Sequence, residues 1–237
     1  AVELDPLLKT ITLNKLNDLE MVNLQRKCLI DSSAPNPSVE TLLHAFLPHK
    51  YVDHTHANAI LSLINQPNDI EICNETFGDI VGIVPYVIPG FQLAKKSFEI
   101  FNKNKKIIGL ILLNHGIFTF GDTAEESYSR MINLISIAEK KLNQKSSKIY
   151  FKNITKKKNN ISIEIDNLFP IIRKHLSYKN IKGDYIKWVL NFKQDKNILL
   201  YLNHFKLKEF SQKGPVTPDH VIRIKPKPLI LDLHNIK

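Results

Sequence analysis

The run Ile107-Ile108-Gly109-Leu110-Ile111-Leu112-Leu113 leaves the chain few options. It lies between Lys105-Lys106 and Asn114, is short for a helix, and falls far below the roughly 20 apolar residues of a membrane span. The spacing therefore predicts a buried strand flanked by turns. After His115-Gly116, Ile117-Phe118-Thr119-Phe120 alternates as a second strand, paired with the first through a tight turn.

The neighbouring segments alternate between the two periodicities. Lys50 to Asp53 predicts a short strand and Ala57 to Leu63 a helix; Ile80 to Val87 is β-rich but bent at Pro85, and Phe91 to Phe101 is an amphipathic helix. Asp122, with Glu125 three residues on, has the spacing of a capping box, and Tyr128, Met131, Leu134, Ile135, Ile137 and Ala138 carry a helical stripe toward Leu142. Nearer the start, Thr10-Ile11-Thr12 reads as a short strand. Leu16 to Ile30 reads as a helix capped by Asn17 or Asp18, with Leu19, Val22, Leu24 and Leu29 on its apolar side. The prolines and small polar residues of Asp31 to Pro37 make a loop, after which Ser38 is expected to cap a helix from Val39 to about Leu47. Strands alternating with helices predict an α/β domain over 1–142.

Composition changes beyond that point. Residues 1–140 carry 12 Lys+Arg against 16 Asp+Glu, a net of −4, whereas 141–237 carry 21 against 7, a net of +14. Such asymmetry is one signature of a nucleic-acid partner. The Lys-rich stretch around Lys156-Lys157-Lys158 nevertheless lacks interleaved aromatics, which argues against that partner. Residues 143–237 are expected to form a linker and a partly helical segment, with helices near Leu168 to Leu176, Ile186 to Asn191 and Lys196 to Phe210, then β-like stretches at Val221 to Ile224 and Leu229 to Leu231. Cys28 and Cys73 are too few and too far apart for a disulfide framework. With no leader or apolar span in the sequence, a cytoplasmic protein without a membrane partner is expected.

The chemistry concentrates in His54-Thr55-His56. Residues i and i+2 at a strand end share a side, so both imidazoles can face one ion. His115 lies at the end of the buried strand Ile107 to Leu113, beside Gly116, where backbone can approach closely. Three neutral nitrogens leave a divalent ion such as Zn2+ with an open position, the pattern of catalytic sites. Asp53 precedes His54 directly and should point the other way, leaving it a supporting role at most. Glu40 offers a carboxylate, although an acidic residue there also suits a helix amino end. His44 and His49 read as capped or exposed imidazoles near a helix end, and Asp219-His220 as part of a structural loop.

Taken together, Pro37-Ser38-Val39-Glu40, His54-Thr55-His56 and Asn114-His115-Gly116 followed by a capped helix resemble the class II aldolase/adducin family. Glu40 to His49, Val52 to His56 and Gly214-Pro215-Val216-Thr217-Pro218-Asp219-His220-Val221-Ile222-Arg223 resemble, more narrowly, the aldolase part of bifunctional rhamnulose-1-phosphate aldolase/alcohol dehydrogenase proteins. The resemblance implies an αβα layered α/β fold with a mainly antiparallel central sheet and a zinc ion on His54, His56 and His115. It implies Glu40 as the proton-transfer carboxylate, Ser38 at the substrate phosphate, assembly as a homo-oligomer, and a lyase that cleaves a small phosphorylated sugar such as rhamnulose 1-phosphate to dihydroxyacetone phosphate and L-lactaldehyde. A sugar-phosphate epimerase or dehydratase of the same family, and a non-catalytic adducin-like module, are the alternatives. Family members carry a Gly- and Asn-bearing anion loop ahead of the carboxylate, but here the first glycine is Gly78, which reads as truncation. The Gly-rich turn of a nicotinamide-binding half is likewise missing, so no NAD site is expected in this chain.

Overall fold

The computed structural model describes residues 1–145, 165–217, 220 and 223–231. They belong to two compact units, Ala1–Ser147 with Gly214–Pro226, and Lys148–Lys213 with Lys227–Lys237. The first unit contains α1 (Leu4–Leu8), α2 (Asp18–Lys27), α3 (Thr41–Phe46), β1 (Tyr51–Thr55), α4 (Asn58–Ile64), α5 (Asp69–Phe77), β2 (Val81–Val84), α6 (Phe91–Lys103), β3 (Gly109–Leu112), β4 (Gly116–Gly121) and α7 (Ala124–Lys145).

The sheet runs β1-β4-β3-β2, with β1 and β3 antiparallel to β4 and β2 parallel to β3. Both neighbours of β4 cover it, so all six of its residues are buried, as are all four of β3. The two-residue period then sorts their side chains. Leu110, Leu112, Phe118 and Phe120 join the core built with Leu42, Leu43 and Phe46 of α3 and Phe91, Leu93 and Phe101 of α6. Ile111 and Ile117 join the opposite core, with Ile60 and Ile64 of α4, Cys73 and Phe77 of α5, and Met131, Leu134 and Ala138 of α7. Helices on both faces of a mostly antiparallel sheet give the αβα layering. Leu134 is fully buried, and its Cδ1 lies where a side chain at Gly109 would have to go. Leu134→Ala should therefore cost about 2–5 kcal/mol, read from urea unfolding of the whole chain.

Several local expectations are corrected. Thr10-Ile11-Thr12 is not a strand but part of a 3-10 turn, Lys9–Thr12, because the Thr10 and Thr12 hydroxyls donate to the carbonyls of Leu7 and Lys9 at 2.6 and 3.0 Å. Asn17 caps α2, accepting from Glu20 N at 2.9 Å while Glu20 returns a bond to Asn17 N. The helix's buried face is Met21 and Gln25, and Leu19 is 72% exposed. The box before α7 is shifted by one residue from Asp122–Glu125: Glu126 N donates to Thr123 Oγ1, and Glu126 Oε2 accepts from Asp122 N at 2.8 Å. Helix α5 lay outside the expectation altogether; its signal was Asp69 and Glu71 in the first turn with Cys73 and Phe77 four apart.

In the second unit α8 (Ile165–Leu176) is followed by β5 (Tyr178–Lys179), β6 (Tyr185–Ile186), α9 (Lys196–Leu202) and α10 (Leu207–Phe210). The helix expected over Ile186 to Asn191 is absent. Tyr185 and Ile186 pair instead with Lys179 and Tyr178 across a turn in which Asn180 Oδ1 accepts from Lys182 N and Asp184 N, with Gly183 at φ +87°. The expected helix over Lys196 to Phe210 is two, broken where His204 Nδ1 accepts from Lys206 N at 3.1 Å. In the first unit Asn65 Nδ2 donates to Val216 O at 3.0 Å, tying the returning stretch 214–226 to the end of α4. Ile224 N donates to His220 O at 2.9 Å. Residues 218, 219, 221 and 222 lie outside the described residues, as does the Lys-rich stretch at 156–158. Leu229 to Leu231 is not a strand. Among the described residues no helix is long and apolar enough to cross a membrane.

Candidate metal centre

Strand β1 ends at Thr55, so His54 leaves the sheet on the face of its register partner Phe118, and His56 follows two residues later. His115 sits in the turn between β3 and β4, one strand away. Asn114 makes that turn tight by adopting φ +56°, a left-handed conformation that asparagine tolerates better than most residues. Glu40 comes from the loop before α3. It occupies the N-cap position, with Ser38 Oγ accepting from Glu40 N at 3.2 Å, so the helix begins at Thr41 and not at Val39. One ligand atom from each of Glu40, His54, His56 and His115 lies within 4.8 Å of all the others.

The spacing at the centre of this group is close. Glu40 Oε1 is 2.7 Å from His115 Nε2, 3.1 Å from His54 Nε2 and 4.0 Å from His56 Nε2, and the His54 and His56 Nε2 atoms are 2.9 Å apart. Ligands held at about 2.0–2.2 Å from one ion sit about 3–4 Å from each other, so the group fits a single divalent cation. Tautomer bookkeeping points the same way. The Ile117 carbonyl, 2.9 Å from His54 Nδ1, can only accept, so Nδ1 bears a proton. A neutral His54 then turns the Nε2 lone pair toward a carboxylate oxygen 3.1 Å away. Two acceptors at that distance repel unless a cation lies between them, either a proton on Nε2 or a metal ion.

Burial opposes ionisation of Glu40, but hydrogen bonds from His115 and His54 and the charge of those rings outweigh it, and the carboxyl is held below the usual carboxylate range. Glu40 is thus an ionised carboxylate in a half-buried setting. Its bonds are conditional, because an imidazole nitrogen cannot donate to Glu40 and offer its lone pair to an ion at once. His115 is almost wholly buried, and its Nδ1 has no hydrogen-bond partner among the described residues. Ser38, exposed, places its hydroxyl 3.5 Å from Glu40 Oε2.

The remaining candidates fall elsewhere. Asp53 pairs with Thr119 in the sheet, one residue out of phase with His54, and is outside the four-residue group. His49 is not an exposed cap: its ring stacks on Phe120 at 4.6 Å and meets Phe101 edge-on. His44 is not exposed either, lying edge-on to Phe118 at 5.1 Å. Burial, reinforced by the nearby His54, lowers its pKa. His220 is exposed and outside the group. Sequence reasoning missed Phe118, whose ring lies flat against His54 at 4.0 Å and 12°. The signal was present in the alternation of β4, since register partners across an antiparallel pair share a face.

This fold is that of an established class of proteins. The family described as class II aldolase and adducin N-terminal domain matches residues 8–142, and its companion, aldolase class II second domain, matches 164–237. The chain therefore belongs to the class II aldolase/adducin family. It is 34% identical over 98% of its length to a Bacillus subtilis (strain 168) protein named "uncharacterized oxidoreductase YuxG". It spans only 33% of that relative's length. A solved structure, the N-terminal class II aldolase domain of a conserved protein from Thermoplasma acidophilum, is 43% identical and superposes with a TM-score of 0.54, covering 59% of this chain and 64% of that one.

Proposed function

We propose that the chain is a divalent-metal-dependent carbon-carbon lyase acting on a short ketose 1-phosphate, with rhamnulose 1-phosphate as the substrate to test first. The observation that carries this reading is the convergence of three imidazoles and one ionised carboxylate from three separate places in the sequence. His54, His56 and His115 would hold the ion, and zinc suits an all-imidazole set. When bound, the ion supplies Lewis-acid polarisation of a ketone oxygen and stabilisation of the negative charge that develops there.

The chain's own groups do the rest. Cleaving the bond between an α-carbon and a carbinol carbon removes a proton from the hydroxyl and must return one to the released carbon. Glu40 is the carboxylate in the group and would move that proton. Ser38, exposed and with its hydroxyl 3.5 Å from Glu40 Oε2, would hydrogen-bond the substrate's phosphate on this reading. The narrower assignment draws on the identity to a relative three times as long whose name contains "oxidoreductase". On this reading the chain would be the aldolase-type part of such a protein, with dihydroxyacetone phosphate and L-lactaldehyde as its products.

The purified chain should bind one zinc ion by calorimetry and release L-lactaldehyde from rhamnulose 1-phosphate. A chelator should abolish turnover, and added zinc should restore it. Turnover indifferent to chelator would overturn the metal-dependent mechanism. Conversion of a sugar phosphate without carbon-carbon cleavage would move the activity to an epimerase of the same family.

A further inference from the structure

Residues 115–117 run as one stretch of backbone past the candidate metal centre. His115 supplies an imidazole, with Nε2 2.7 Å from Glu40 Oε1. Gly116 leaves open the room that a Cβ would take 2.7 Å from Thr55 O and 3.1 Å from His54 Cε1. Ile117 offers the carbonyl that lies 2.9 Å from His54 Nδ1. Where these three groups lie depends on where and in which direction β4 begins, and the turn ahead of it decides that.

The turn is closed by His115 N, which donates to Leu112 O at 3.1 Å, with Leu113 and Asn114 at its two central positions. Leu113 N donates to Val84 O at 3.0 Å, so the entry to the turn is anchored to β2. Asn114 holds φ +56°, and among the described residues no other residue except glycine has a positive φ. A turn with positive φ at its second central residue takes glycine or asparagine there, because in that conformation a Cβ crowds the following carbonyl. The Asn114 side chain is exposed, so core packing does not fix its conformation. A residue driven back to negative φ would send the chain out of the turn in another direction, and His115, Gly116 and Ile117 would go with it.

We propose that Asn114 is a positioning residue: its left-handed backbone sets the start of β4 and thereby brings the His115 ring, the gap at Gly116 and the Ile117 carbonyl to His54 together. Asn114 acts through the three residues that follow it. The inference rests on the proposed metal-site reading for its effect on zinc, but its geometric content concerns the metal-free chain.

The test uses the whole 237-residue chain and three variants. Asn114→Gly keeps access to positive φ and should bind zinc within about threefold of wild type. Asn114→Val places a β-branched residue where positive φ is least tolerated and should weaken zinc about tenfold, the binding equivalent of the left-handed penalty. Asn114→Ala should fall between the two, and it serves if Asn114→Val does not fold. Long-range proton–nitrogen correlation spectra of the metal-free chain should show His54 protonated at Nδ1 in wild type and Asn114→Gly, and a mixture of tautomers in Asn114→Val. A turn with a purely structural role would lower the urea midpoint of the valine and alanine variants while leaving zinc affinity and the His54 tautomer as in wild type. That result would overturn the proposal. Equal loss of zinc affinity in the glycine and valine variants would overturn it too, since the effect would then belong to the exposed carboxamide. If the wild-type chain binds no zinc, the metal-site reading fails while the tautomer spectra still decide the role of Asn114.

Discussion

Glu40→Gln should lower kcat for ketose 1-phosphate cleavage by about 10²–10⁴-fold, the usual contribution of a positioned proton-transfer group. The amide keeps the size of the carboxylate but can neither accept nor return the proton. Zinc should still bind at His54, His56 and His115, and KM should change by no more than about threefold, since uniform binding is untouched. Steady-state kinetics and calorimetry on the same preparation separate the possibilities. A kcat loss explained by lost zinc would make Glu40 a ligand instead of the proton carrier. The carboxylate also carries a stability signature in the metal-free chain. Its folded-state pKa lies below the unfolded value, so its contribution is present above about pH 4.3 and disappears as pH falls through the depressed value. The stability difference between wild type and Glu40→Gln should accordingly narrow on acidification below pH of about 4.

Gly116→Ala should weaken zinc binding about 10- to 100-fold, as large as any single change outside the ligands. A Cβ there would stand 2.7 Å from Thr55 O, 2.9 Å from His56 Cδ2 and 3.1 Å from His54 Cε1. None of these can yield cheaply. Thr55 is fixed by its pairing with Ile117, and the His54 ring is held by Phe118 behind it. Strand β1 must therefore move away from β4, at a cost of about 1–3 kcal/mol, and it takes both histidines with it. Calorimetric zinc titration, with urea unfolding alongside, checks both halves of the expectation. Zinc affinity within about twofold of wild type would show that the closeness of Gly116 to the two rings does not govern the site.

The elements with a strong local signal could be read without the structure. The strands at Tyr51–Thr55, Gly109–Leu112 and Gly116–Gly121 and the helices Phe91–Lys103 and Ala124–Lys145 follow from apolar period and turn residues alone. Where the local signal was ambiguous, neighbours decided. Thr10-Ile11-Thr12 has β-branched residues but no strand beside it, so its hydroxyls close a 3-10 turn. Tyr185 and Ile186 were drawn out of a helical reading by pairing across the Asn180 turn. Helix α5 carried too weak a pattern until Cys73 and Phe77 found α4 and α7 to pack against.

The histidine set shows the same division. That His54 and His56 share a side follows from the geometry of an extended chain, and a glycine after His115 announces a close approach, whatever the rest of the molecule does. What the sequence could not contain is the order β1-β4-β3-β2, which lays the end of β1 beside the turn before β4 and brings residues 40, 54 and 115 to one point. Nor could it contain the stack of Phe118 on His54. Periodicity is a property of neighbours along the chain, whereas distances between imidazoles on different strands are set by which faces the two cores bury and by strand register, and those exist only once the whole sheet has formed.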